Sequence, residues 1–391
     1  MRLLLQALLL AALTALAGAS ASAADPVPVR IPALLSLTGA GAFLGTAEAR
    51  TLQVVQRYVN ARGGIRGRPV EFDVLDDQTT PALAVQLVSQ VLASKTPVLI
   101  GPSSPQVCQA VLPLVEKTGP VTYCLIQSVH PAPGGFAFAT GHDSKDVVAV
   151  ALRYLRERGM QRVALLMGTD ASGQDFDRGF DAAFAEPENA SLRPVAHEHF
   201  AAADLSVSAQ VARIKAAAPD VLVTWTAGTP FGTVARGAFE AGLTVPILTS
   251  GANMTLAQME QYGTFLPKEM LFAGQIAWTP GGVPPGPVRD AQLLFVRTLK
   301  AAGYASDAGY TTVWDPAMLV VDALRRIGPD ATGEQLRAYI ANLRGWVGIN
   351  GIYDFQRIPQ RGLNENAGEI LGWNPAQKDF VALSKPAGRV R

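Results

Sequence analysis

Ser103 and Ser104 are two hydroxyls at a position where hydroxyls bind anions. They follow the apolar run Val98-Leu99-Ile100 and the turn Gly101-Pro102, and Pro105 comes directly after them. Val107, Val111, Leu114 and Val115 then recur at helical spacing, so the stretch reads as strand, tight turn and helix. With Ser104 as N-cap and Pro105 at the first helical position, free backbone N–H groups and both hydroxyls gather at the helix end. A carboxylate is the natural small guest of such a place. An ordinary capped helix in an α/β sheet would carry the same residues, so this segment alone leaves both readings open.

The other reactive side chains are few. Cys108 falls in the first turn of that helix, and Cys124 ends the next strand, 121–124. Two cysteines at one edge of a sheet in an exported chain read as a disulfide. A cysteine nucleophile would need a histidine partner that the sequence does not place. His197 and His199 alternate on a strand and share a face, but no third ligand is spaced to complete a metal site with them. His130 and His142 fall in loops. Asp76 and Asp77 point to opposite faces of a strand end and cannot act as paired acid and base. Gly39, Gly41 and Gly45 follow a strand, but the third glycine is one residue late for a dinucleotide turn and no acid stands about 20 residues on. No Gly-x-Ser-x-Gly stretch occurs. The sequence therefore supplies no catalytic constellation and calls for no cofactor.

The elements that must position these residues alternate. Strands are expected at 29–37, 70–75, 98–100, 121–124 and 136–140, separated by helices over 46–61 and from Thr80 onward, with apolar Leu83, Leu87, Val91 and Leu92. The pattern changes at Gly141-His142-Asp143-Ser144 and a second set begins: strands at 162–167, 195–200, 221–225 and 246–249 between helices. This is α/β alternation, which specifies parallel sheets covered on both faces. After the Pro/Gly-rich loop 279–287 come helical patterns at 288–302, 312–327 and 333–342, then short strands and turns over 352–383.

Composition narrows the partners. The 391 residues carry 33 Lys plus Arg against 32 Asp plus Glu, a net charge of +1, so no field draws nucleic acid or an anionic membrane. Arg2, the apolar run 3–16 and Ala21-Ser22-Ala23 form an export signal cleaved near Ala23. No later stretch approaches 18 consecutive apolar residues, so the mature chain is expected not to be embedded in a membrane.

The order of motifs resembles a known family. Ser36-Leu37-Thr38-Gly39, Asn60-Ala61-Arg62-Gly63-Gly64-Ile65-Arg66-Gly67-Arg68-Pro69, Asp76-Asp77-Gln78-Thr79-Thr80-Pro81 and Ile100-Gly101-Pro102 are similar to the solute-binding proteins of branched-chain amino-acid ABC importers. Lys215-Ala216-Ala217-Ala218-Pro219-Asp220, Glu240-Ala241-Gly242-Leu243, and Asp315 ahead of Asp322-Ala323-Leu324 continue the match. The resemblance implies the type I periplasmic-binding fold: two doubly wound α/β lobes joined by three crossovers, near 140–143, 274–279 and 353–357. One lobe would comprise 24–141 plus 277–354, the other 142–276 plus 355–391. It also implies a monomeric periplasmic protein that closes on a small ligand by hinge motion and delivers it to an ABC permease in the inner membrane. A ligand sensor for amides or amino acids, signalling to a partner protein, would share the fold.

Carried over residue by residue, the resemblance puts the ligand carboxylate on Ser103 and Ser104 and on the loop Leu125-Ile126-Gln127-Ser128. Phe43 and Leu44 replace a tyrosine common in the first loop. In the second lobe the expected contacts are Ser172 and Gly173, within Asp170-Ala171-Ser172-Gly173-Gln174-Asp175, together with Trp225, Thr229, Phe231 and Asn253. An acid to meet an α-ammonium is not evident in Ser250-Gly251-Ala252-Asn253-Met254, and Asp170 or Asp175 reads equally as a helix cap. A buried ammonium needs such a partner. The expected ligand is therefore a carboxylate with an apolar or aromatic body, or a hydrophobic or branched-chain amino acid.

Overall fold

The computed structural model describes residues 26–391 apart from positions 227, 280, 281 and 306; the export signal expected over 1–23 lies outside the described residues. Strands β1 (Val29–Leu35), β2 (Val70–Asp76), β3 (Val98–Ile100), β4 (Val121–Cys124) and β5 (Ala137–Ala139) pair in parallel in the order β2-β1-β3-β4-β5. The last three strands are buried at every position, because helices cover both faces of this sheet. The helices between its strands are α1 (Ala42–Asn60), α2 (Pro81–Ala93) and α3 (Pro105–Val115). Helix α1 starts four residues before the 46–61 span expected for it.

A second sheet repeats the winding. Helix α4 (Ser144–Glu157) leads into β6 (Arg162–Gly168), α5 (Ala171–Phe184), β7 (Arg193–Phe200), α6 (Ser208–Ala216), β8 (Val221–Trp225), α7 (Thr229–Glu240), β9 (Ile247–Ser250), α8 (Leu256–Tyr262) and β10 (Met270–Gln275). The parallel order β7-β6-β8-β9-β10 matches that of the first sheet strand for strand. The chain then returns to the first lobe through α9 (Pro287–Ala301), α10 (Ala308–Thr312), α11 (Trp314–Ile327), α12 (Gly333–Ala341) and the hairpin β11 (Arg344–Gly348) with β12 (Gly351–Asp354). Thr51 Oγ1 on α1 donates to the Tyr310 carbonyl at 3.1 Å, and Arg325 Nε donates to the Gly64 carbonyl at 2.8 Å, which anchors this return. The buried Asp315 carboxylate accepts from the backbone N–H groups of Ile349 and Asn350 and from the Tyr353 hydroxyl, fastening the hairpin turn to α11. Finally β13 (Gly368–Asn374) and β14 (Asp379–Ala382) add antiparallel strands beyond β10.

The winding decides where a ligand goes. In an open α/β sheet the crevice lies beyond the carboxyl ends of the strands, where the winding direction reverses. That point falls between β1 and β3 in one lobe and between β6 and β8 in the other. Ser36 and Ser103 stand at the first; Asp170 and Thr226 stand at the second.

Candidate ligand-binding cleft

Two adjoining cavities lie where the switch points face each other. Ser103, Leu44, Pro105, Ser172 and Ala252 line both. The lobes touch beside them: a Cβ on Gly228 would stand 2.2 Å from the Ala40 carbonyl oxygen, and Gly228 has φ +77. Only glycine meets both demands, the close approach and the left-handed backbone.

On the first lobe, Gly101 fixes the turn into α3. Its φ is +95 and a Cβ there would lie 2.0 Å from the Leu34 carbonyl oxygen. Ser104 occupies the N-cap position of α3 as expected, but its side chain caps nothing; its Oγ is buried without a partner. Ser103 Oγ forms a short hydrogen bond with Glu48 Oε2 of α1 and lies 3.4 Å from the Ser36 amide. Burial pushes Glu48 up to about 8, against the pull of that hydrogen bond, so the acid behind Ser103 is protonated at neutral pH. Asp76 and Asp77 brace the opposite loop: Asp76 accepts from Leu37, Thr38 and Gln78, and Asp77 accepts from Ser36 and Thr79.

On the second lobe, Asp170 Oδ1 accepts from the Ser172 and Gly173 amides, each at 2.9 Å, while Oδ2 accepts from Thr226 Oγ1 at 3.2 Å. It is a helix cap, already satisfied. The apolar wall comprises Leu44, Leu125, Ile126, Phe176 and Trp278 in the inner cavity and Phe43 in the outer one. Four polar atoms of lining residues are buried without partners: Ser104 Oγ, Ser128 Oγ, Trp278 Nε1 and Gln275 Oε1. Orphaned buried groups on a cavity wall are what a ligand satisfies. Three of the four can donate, as an anion requires.

Of the residues expected from sequence, Phe43, Leu44, Ser103, Ser104, Leu125, Ile126, Gln127 and Ser172 come together on this wall. Five do not. Trp225 is buried in the second-lobe core, stacked on Phe176 at 4.0 Å between ring centroids, and it is Phe176 that reaches the cavity. Phe231 is buried edge-on to Tyr262. Asn253 is consumed in bonds to Thr226, Thr249 and the Gly228 amide, and so shapes the lobe contact from behind. Gly173 packs its Cα against the end of β6, where a Cβ would meet the Gly168 carbonyl oxygen at 2.0 Å. Thr229 is exposed at the start of α7. Phe176, Gln275 and Trp278 also line the cavity and are not among the residues expected from sequence. Phe176 carried a signal, since it falls one helical turn after Ser172 on α5.

The passages between the lobes converge beside the cleft. Gly141 in the first lies against the Gln275 side chain of the second. The buried Arg361, a few residues beyond the expected third passage, donates to the carbonyls of Gln127, Val129 and Thr140 and pairs with Asp143 at 3.3 Å. Burial, and after it the nearby Arg361, pushes His142 down to about 3 and holds it neutral, with its Nδ1 3.3 Å from Gln127 Nε2. His130 spans Asp143 at 3.1 Å and Asp175 of α5 at 2.9 Å, and the bond to Asp143, then that to Asp175, raises it to about 9. Cys108 and Cys124 form a disulfide that ties α3 to β4.

A family model described as periplasmic binding protein matches residues 28–375. No curated protein matches the sequence. An extracellular ligand-binding receptor from Rhodopseudomonas palustris HaA2 is 22% identical, with TM-score 0.80 over 93% of this chain and 100% of that one. A solute-binding protein of an ABC transporter from R. palustris, solved in complex with benzoate, is 19% identical, with TM-score 0.76 over 93% and 97%. The branched-chain amino acid transporter substrate binding protein LivJ from Streptococcus pneumoniae, solved with isoleucine, is 17% identical, with TM-score 0.73 over 91% and 99%. At these identities the likeness is one of fold.

Proposed function

The chain belongs to the periplasmic binding protein family, and on that premise we propose that it is the extracytoplasmic component of an ABC importer that captures a small carboxylate with an apolar or aromatic body. One observation carries the ligand class: residues that line the cleft hold buried, unpartnered donors, Ser104 Oγ, Ser128 Oγ and Trp278 Nε1, beside an apolar lining, while the lining acid Asp170 is already bonded at both oxygens. A carboxylate satisfies that set; an α-ammonium would be left without a counter-charge. The benzoate bound by one relative of the same fold is a ligand of this chemistry.

In this reading α3 receives the carboxylate with Ser103 and Ser104, and Leu44, Leu125, Ile126, Phe176 and Trp278 enclose the body. The hinge passages are 140–143, 274–279 and a third near Arg361. In this reading the third passage falls later than the 353–357 span expected from sequence, a placement supported by Gln360, whose carbonyl accepts from the Ala139 amide and whose Nε2 donates to the Ala137 carbonyl. The division of the lobes at 354/355 moves with it. Delivery to an inner-membrane permease follows from the importer role.

Thermal shift of the mature protein against benzoate-like carboxylates, aromatic and branched-chain amino acids, dicarboxylates and amides tests the reading. A ligand at 100 times its dissociation constant adds about 2.7 kcal/mol to stability. Amino-free aromatic carboxylates should give the largest shifts, and the Ser103→Ala/Ser104→Ala variant should lose most of them. A branched-chain amino acid at the head of the panel would mean that an ammonium partner exists in the cleft and that the ligand class is wrong.

A further inference from the structure

His197 and His199 stand on one face of β7, the edge strand of the second sheet. The third group they lack in sequence comes from the helix packed over that face. Asp177, on α5, lies between them: His197 Nε2 is 2.5 Å from Asp177 Oδ1, and His199 Nε2 is 2.7 Å from Oδ2. One ligating atom from each of the three lies within 4.8 Å of the others. The imidazole rings are 5.0 Å apart, centroid to centroid, and both remain partly open to solvent.

We propose that Asp177, His197 and His199 form a surface site for a divalent transition metal, with zinc(II) as its representative. Zinc sits about 2.0–2.2 Å from imidazole nitrogen and carboxylate oxygen, so the three side chains close on a common centre by small rotations that their exposure allows. Two imidazoles and one carboxylate match zinc, nickel or copper, whereas calcium and magnesium demand oxygen ligands. A metal needs the lone pair of each Nε2, so protons compete with it. Asp181, one turn along α5, has Oδ1 3.8 Å from His197 Nδ1, where an outer carboxylate orients a ligating histidine. The Gln210 amide holds the His199 carbonyl at 3.2 Å. Glu198 between the histidines points to the other face and is closed in a two-bond pair with Arg213, so it does not compete. Bound metal would tie α5 to the sheet edge, and α5 is the helix that carries Ser172 and Phe176 to the cleft.

Calorimetric titration of the mature, tag-free, chelator-treated protein with zinc chloride at neutral pH tests the site. One saturable equivalent is expected, with Asp177→Ala and His199→Ala each weakening it at least tenfold, since loss of even an outer-shell partner costs about 10- to 100-fold. Melting of each variant in the presence of chelator should match the parent, showing that the fold is intact. Cobalt(II) should give the visible absorption of a low-coordinate site in the parent alone. Zinc that fails to saturate, affinity unchanged in both variants, or calcium binding as tightly as zinc would overturn the proposal.

Discussion

Glu48 lies behind Ser103, beneath the place where a ligand carboxylate is proposed to rest. While it is protonated, the Ser103 hydroxyl can turn to the cleft. As pH rises through about 8 the acid ionises, holds that hydroxyl for itself and sets a negative charge behind the ligand. Affinity for a carboxylate should therefore fall between pH 7 and 9 by about five- to tenfold, the part of one lost charge-assisted hydrogen bond of about 1.5–3 kcal/mol that a single titration near 8 exposes over that range. Glu48→Gln should flatten that profile; calorimetry showing the same decline in the variant would remove Glu48 from the explanation. Ser103 and Ser104 could be read from sequence because they follow a strand end and a turn whose glycine and proline are visible in one dimension, whereas Leu44 and Leu125 came from the family resemblance. Trp225 and Phe231 misled for the opposite reason. A large aromatic at a strand end or in the first turn of a helix packs against the covering layer or into the cleft, and its type does not say which.

At the scale of elements, alternation was legible almost throughout, because buried parallel strands are short apolar runs and the helices between them announce themselves by period and by proline at the first turn. Residues paired across distance were not: Asp315 was a motif in sequence, yet its work is to hold the β11–β12 turn, and β11 itself went unseen. The disulfide is an element-scale device, joining the first turn of α3 to the end of β4 across 16 residues. Because α3 presents Ser103 and Ser104 at its start, the bridge also steadies the proposed carboxylate site. Replacing both cysteines with serine should lower unfolding stability by about 3 kcal/mol in the chain-entropy model. Urea unfolding with an unchanged midpoint would show that the surrounding core, with Ile126 and Val129, holds the helix unaided.

Across the whole molecule, His130 is the clasp that reaches from a first-lobe loop to α5 of the second lobe. Its raised value, about 9 against an ordinary 6.5, gives the sign: the stabilising contribution is complete below about pH 6.5 and is lost as pH rises through 9. Small-angle scattering of the ligand-free protein should show the radius of gyration growing between pH 7 and 10, and His130→Ala should be expanded already at pH 7. An identical, pH-independent radius for both proteins would mean that the clasp does not govern lobe separation. The scattering experiment involves no ligand, so it separates this effect from that of Glu48.

The contact of Gly228 with Ala40 has one more consequence. A side chain at position 228 would act as a doorstop: with its lobes propped ajar, the protein would leave its pocket open to bulk water and any passing solute free to depart. The width of the gap would follow the size of the wedge. That single glycine, on the wall of the outer cavity, sets how tightly the compartment can seal.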